Sequence, residues 1–249
     1  MALCLTKVRI LHKVLYTIGS VALQRLICAV HFNLNTVALR KLQMKAIETI
    51  IEVMKKQSVV RLWTIQPWEV WEEFQSKGIL RGDGRRVDPE FRFAYKWMMG
   101  QMKKRLPDYT GRYPIWVWCY PKPDLRRNGY LPAKRSGVRI ECLIPQARVL
   151  LSDFDTWHCV LNPDYIGLSQ GEEEVWQERL LQMEWRNCFE RYQKLPPNLK
   201  EWMEESWERI FGLEELNASK WTGPIRYIQG VLEEIYIGEV ARIKIFTAG

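Results

Sequence analysis

The chain has 249 residues, 47% hydrophobic and 27% charged, an ordinary balance for a soluble globular protein of one large domain or two small ones. Its formal charge of +8 is uneven: residues 1–53 carry seven Lys or Arg against Glu48 and Glu52 (+5), and the other 196 carry thirty bases and twenty-seven acids (+3). Bulk charge therefore argues against a strong phosphate-backbone binder. Six cysteines without a Cys-x-x-Cys argue against structural metal and fit a reducing cytoplasm.

Residues 1–46 contain no acid, and all twelve tryptophans follow Arg61. Apolar runs over 14–24 and 26–39 are each too short to span a bilayer, so no stable membrane association is expected. Residues 1–53 read as an over-extended start with Met54 the natural beginning, as a helical appendage, or as a targeting segment with small residues at 19–22.

From residue 54 on, 59–66 alternates as a strand, with Leu62, Thr64 and Gln66 on one side and Trp63 and Ile65 on the other. Pro67 opens a helix that Gly78 stops, with Trp71 and Phe74 inward. A Gly- and Arg-rich loop covers 81–87, and Asp88 with Pro89 starts a second helix. Residues 113–119 form a strand apolar on both sides, Trp116 and Trp118 sharing one of them. Residues 138–144 alternate with Arg139 and Glu141 outward, pairing with 148–152 as a hairpin or offset neighbour. Ser152 with Asp155 resembles a capping box. Ser169 starts a helix running towards Lys194, and 198–211 is helical again. The segment 225–235 is apolar, and 240–247 is a final strand. The whole predicts a single α+β domain over 54–249, with a mixed or antiparallel sheet and inserted helices behind a basic helical leader.

Thr64 and Gln66 share a strand end, where they either cap the next helix or hold a ligand's amide or ribose. Trp116 and Trp118 either pack beneath a helix or stack on a planar ring. Gln229 and Glu233 are four apart and face one way, either as a solvated face or as a catalytic carboxylate with its positioning partner. Asp153, Asp155 and His158 form a polar group that either caps a helix or supplies the one histidine beyond the leader for acid–base work. No P-loop or dinucleotide glycine fingerprint is present.

The runs Leu62-Trp63-Thr64-Ile65-Gln66, Ala94-Tyr95-Lys96-Trp97-Met98 and Tyr113-Pro114-Ile115-Trp116-Val117-Trp118, residues 150–158, Ser206-Trp207 and Gln229 resemble domain-of-unknown-function family 3841. That family is an uncharacterised bacterial one, and the resemblance covers about Val60 to the C-terminus. More distantly, a strand and then a helix ending in Gly78-Ile79-Leu80 is similar to the opening of ADP-ribosyltransferase folds, particularly those acting on nucleic acid. In those folds a first-strand His or Arg holds NAD, a middle strand brings an aromatic or hydroxyl group, and a late strand carries a Gln/Glu pair. Here Thr64 stands at the His or Arg position, and Gln229 and Glu233 are four apart rather than two.

This similarity implies a cytoplasmic enzyme, a toxin or defence effector, that consumes NAD without a metal and modifies a protein or nucleic-acid acceptor. Trp63, Thr64 and Gln66 would bind the dinucleotide, Trp116 or Trp118 would stack on a ring, and Glu233 would stabilise the oxocarbenium ion or activate the acceptor, with Gln229 beside it. The alternative is a non-catalytic module whose aromatic cleft binds a nucleotide, a base or a peptide.

Overall fold

Ile47, Ile51 and Met54 recur at the spacing of one helix face. In the computed structural model, which describes residues 37–249 apart from 57, 128, 182 and 184–186, they are the buried stripe of α1 (Val37–Lys56). The boundary drawn after residue 53 falls inside this helix. α1 packs on Leu213, Leu216, Ile225 and Ile228, and Asn217 Nδ2 donates to the Met44 carbonyl at 3.1 Å. The readings that concern residues 1–36 lie outside the described residues.

The next stretch follows its local signals. β1 (Val59–Pro67) leads into α2 (Trp68–Lys77), which ends on Gly78 at φ 71°, the left-handed turn that favours glycine. β2 (Ile79–Arg81) follows. Asp88 accepts from Glu90 N to start a 3-10 turn that runs into α3 (Arg92–Arg105). β3 (Ile115–Tyr120) places Trp116 and Trp118 on one side, as the alternation predicts.

Beyond β3 the structure corrects several expectations. β4 (Ser136–Pro145) pairs with β1 along nine positions and with the final strand, whereas β5 (Leu150–Asp153) pairs with a different strand altogether, so the predicted hairpin does not form. Glu141, expected to point outward, is buried among neighbouring side chains, with Trp63, Arg61 and Lys122 at its carboxylate. The cap of α4 (Phe154–Leu161) is Asp153, whose Oδ2 accepts from Thr156 N, rather than Ser152. Ser169 caps a helix as expected, but that helix is α5 (Gln170–Leu180), and a separate α6 (Cys188–Lys194) begins under its own cap, Asn187. α7 (Pro197–Trp207) and α8 (Leu213–Ala218) follow. The apolar segment before the C-terminus is two strands, β6 (Ile228–Leu232) and β7 (Glu234–Tyr236), and β8 (Val240–Thr247) ends the chain as predicted.

The main sheet is antiparallel, in the order β5-β6-β3-β1-β4-β8, and β2 pairs with β7 separately. The fold is α+β. One sheet face, lined by Val60, Leu62, Val117, Ile140 and Ile144, packs under Val70, Trp71 and Phe74 of α2, and α1 covers its β5–β6 side. The other face carries the indoles. Over β5, β6 and β3 it is buried beneath α3, α4, α5 and α7 through Met98, Trp157, Trp176 and Trp207. Over β1, β4 and β8 it carries charged side chains instead.

Ile51 is 4% exposed within the α1 contact. Ile51→Ala is expected to destabilise the full chain by about 2–5 kcal/mol, the cost of a buried cavity, read by urea unfolding. A change below about 0.5 kcal/mol, the range of surface substitutions, would mean that α1 does not share the core.

Candidate functional site

β1 and β3 pair in register at a single position, Trp63 with Trp118. Past it, towards Gln66 on β1 and Ile115 on β3, the strands separate, and the gap opens into a cleft of about 680 Å³ lined by Thr64, Gln66, Trp116, Trp118, Tyr95 and Tyr130. Separation leaves main-chain groups without a ladder, which must find other partners. The Thr64 hydroxyl supplies one by donating to the Trp116 carbonyl at 3.2 Å, and it accepts in turn from Gln66 Nε2 at 2.8 Å. Thr64 is only 2% exposed, so it works as a strut across the opening, and Gln66 is the polar group that presents itself to the cleft.

The indoles form the aromatic end. Trp116 Nε1 donates to the Tyr95 hydroxyl at 3.1 Å, and its ring leans on Trp157 with centroids 4.7 Å apart. Burial pushes the Tyr95 phenol above its ordinary value, which keeps it a neutral acceptor. Trp118 rests against Phe154 at 4.9 Å. Both indoles stay half-buried and line the opening.

The loop Arg81-Gly82-Asp83-Gly84-Arg85-Arg86 also lines the cleft. A Cβ on Gly82 would lie 2.2 Å from the Tyr113 carbonyl oxygen, and one on Gly84 2.4 Å from the Tyr113 ring, so both positions require glycine for the loop to seat on Tyr113. Asp83 then accepts from Arg85 at 3.0 Å through each carboxylate oxygen, and Arg86 lies 3.8 Å away. The Arg85 guanidinium holds the Asp83 carboxyl below the usual range. The other lining carboxylate, Glu73, pairs with Lys77 at 2.6 Å.

The remaining residues singled out from sequence lie elsewhere. Trp63 is buried on the sheet and donates through Nε1 to Glu141 at 3.1 Å, outside the cleft lining. Gln229 is buried opposite Trp118 and reaches Ser152 Oγ at 3.5 Å. Glu233 sits at the bend between β6 and β7. Its carboxylate accepts from Thr110 N, Thr110 Oγ1 and Arg112 N at 2.7–3.2 Å, which fixes the turn leading to Tyr113. Four residues of extended chain separate Gln229 from Glu233 by about 13 Å, so the two do not act on one atom. His158 Nδ1 lies 2.9 Å from the Phe154 carbonyl and burial lowers its pKa; it is not part of the cleft.

Tyr95, Tyr113, Tyr130 and the arginines of the loop were not singled out from sequence as site residues. The available signal was the pair of glycines flanking Asp83, a spacing that permits close approach of another segment. Burial pushes the Cys119 and Cys142 thiols up to about 12, which keeps them protonated and inert. Among the described residues no group of three or more His, Cys, Asp or Glu is placed to hold a metal ion, and no helix is long and apolar enough to cross a membrane.

A family model described as a domain of unknown function (DUF3841) matches residues 61–240. No curated protein and no solved structure matches the chain.

Asp153 ties β5 to α4 from a buried position. Oδ2 accepts from Thr156 N and Oγ1 at 2.8 Å, and Oδ1 has no hydrogen-bond partner among the described residues. Burial, and then the Asp155 charge, push its carboxyl up to about 7. The folded protein therefore keeps a proton that the unfolded chain has released above about pH 4. Folding stability is expected to fall as pH rises from about 4 to about 7 and to level off beyond it. Urea unfolding across that window should give a shallower slope for Asp153→Asn, which keeps a capping oxygen. An identical slope would place the titrating group elsewhere.

Proposed function

The chain belongs to the DUF3841 family, and we propose that it is a nucleotide-binding protein whose ligand lies in the opening between β1 and β3. The observation that carries this reading is the gathering of half-buried indoles, a glutamine amide and an arginine-bearing glycine loop in the lining of one cleft. A volume near 680 Å³ is within the range of small-molecule sites. A planar base would stack on Trp118 and Trp116, a contact worth about 1–3 kcal/mol. Gln66 would hydrogen-bond the base edge or ribose. Arg85 and Arg86 would turn from Asp83 to the phosphates, which accept charge-assisted pairs from guanidinium.

A second reading, an NAD-consuming ADP-ribosyltransferase, draws support from the order of the strands. The first, middle and late strands that the resemblance implicates, β1, β3 and β6, are neighbours in the sheet. Its difficulty is the carboxylate. Glu233 is engaged by Thr110 and Arg112, and the two acids that line the cleft are held by Arg85 and Lys77. In the binding reading Glu233 acts indirectly, by fixing the turn on which Tyr113 and the loop rest.

Titration of the full chain with adenosine diphosphate is expected to quench tryptophan fluorescence saturably. Trp118→Leu is expected to weaken binding by about 5- to 150-fold, the equivalent of one stacked base. Glu233→Gln is expected to leave the affinity within about threefold while lowering the unfolding midpoint, since it removes a charged acceptor. Absence of quenching by any nucleotide would remove the binding reading. Nicotinamide release from NAD that Glu233→Gln abolishes without loss of fold would install the enzymatic one.

A further inference from the structure

The half of the indole face that no helix covers has a composition unlike the rest of the molecule. Cross-strand pairing sets out its rows: Trp63, Glu141 and Arg242 in one, Ile65, Arg139 and Lys244 in the next. Arg61 and Lys122 flank the first row, 2.5 and 3.8 Å from the Glu141 carboxylate. Five cations thus surround one acid. Burial opposes the Glu141 charge, but the Trp63 N–H with Arg61, Lys122 and Arg242 outweighs it and holds the carboxyl below its ordinary value.

That acid is 6% exposed and faces inward to Trp63, whereas Arg61, Lys122, Arg242 and Lys244 are exposed. Arg139 donates to the neutral Pro123 carbonyl at 2.6 Å. Lys244 has no carboxylate within ion-pair distance among the described residues. The net charge over 54–249 is modest, yet it is strongly positive on this one surface.

This surface adjoins the cleft. Ile65 lines the opening and is the cross-strand neighbour of Arg139, which neighbours Lys244. Two strand spacings, about 10 Å, therefore separate the cleft wall from Lys244. Trp63 is too buried to stack on a base, so these rows offer exposed cations rather than a stacking ring.

We infer that the nucleotide taken by the cleft is one unit of a single-stranded polynucleotide, whose sugar–phosphate backbone continues over Arg61, Lys122, Arg242 and Lys244. The inference rests on the nucleotide reading of the cleft and adds its substrate class. A single strand is required, because a base held between indoles and a glycine loop must be unpaired and unstacked. Contact through phosphates alone makes binding salt-dependent and tolerant of sequence. An acidic protein or an anionic lipid surface would meet the cations but would leave the adjoining aromatic cleft without a role.

The test uses the full chain and a fluorescein-labelled oligoadenylate of about 12 nucleotides, within the site size of single-strand binders, in ribo and deoxyribo forms. Both forms are expected to bind at least about tenfold tighter than adenosine diphosphate, and to weaken by about 50-fold between about 50 and about 200 mM salt, as four phosphate contacts require. Arg242→Glu with Lys244→Glu, on the exposed edge strand, is expected to weaken oligonucleotide binding by at least about tenfold and to leave quenching by adenosine diphosphate unchanged. Trp118→Leu is expected to weaken both. If the charge reversal leaves oligonucleotide affinity within about twofold while adenosine diphosphate still quenches, the inference fails and the cleft reading stands. If adenosine diphosphate does not quench, and Trp118→Leu leaves oligonucleotide binding untouched, both fail. Binding to phosphatidylserine vesicles without binding to oligonucleotide would assign the surface to lipid and overturn the inference.

Discussion

A sheet strand buried between two neighbours normally satisfies its main chain on both sides, and β1 does so on only one. Towards β4 it is paired from Val59 to Pro67, whereas towards β3 the register holds at Trp63–Trp118 and is lost beyond it. Main-chain polar groups tolerate burial only when paired, so the divergence has to be bridged or opened to solvent. Both happen. The Thr64 hydroxyl spans to the Trp116 carbonyl, and the rest of the gap becomes the cleft. The site is thus a consequence of strand geometry at the centre of the sheet, where α2 packs on one face and the helical layer on the other.

The second wall depends on a chain of contacts that begins away from the cleft. Glu233 accepts three hydrogen-bond donors from Thr110 and Arg112, that turn carries Tyr113, and Tyr113 fills the space left by the missing side chains of Gly82 and Gly84. The loop is thereby set so that Asp83 occupies Arg85 and Arg86. A carboxylate already in place on the arginines is the kind of group a phosphate would replace, since both accept paired guanidinium N–H donors.

Local signals in the sequence were legible wherever the chemistry was local. Pro67 and Gly78 bounded α2, Asp88 and Ser169 capped their helices, alternation placed β1 with nearly its observed ends, and the final strand was read at its observed ends. Pairing was not legible, because β1 sits between strands that follow it by about 50 and 80 positions, and no turn residue marks such neighbours. That is why β4 and β5, close in sequence, were expected to pair and do not. Alternation also tells which side of a strand a residue occupies but not what covers that side. Glu141 therefore read as outward although it is buried, and Trp63 read as a ligand contact although it is held on the sheet by Glu141. The spacing of Gln229 and Glu233 suggested a pair. On an extended strand the same spacing sets them apart, one facing Ser152 and the other clamping a loop. Thr64, Gln66, Trp116 and Trp118 were singled out from sequence and do share one opening.

The separation of β1 from β3 beyond Trp63 is the feature on which the cleft, its bridging threonine and its proposed ligand all depend. A crystal structure of the full chain grown with adenosine diphosphate examines it directly. Ligand density is expected between Gln66 and Trp116, with the base against Trp118 and the phosphates displacing Asp83 from Arg85. Continuous β1–β3 pairing through Gln66 and Ile115, or ligand bound anywhere else, would contradict this.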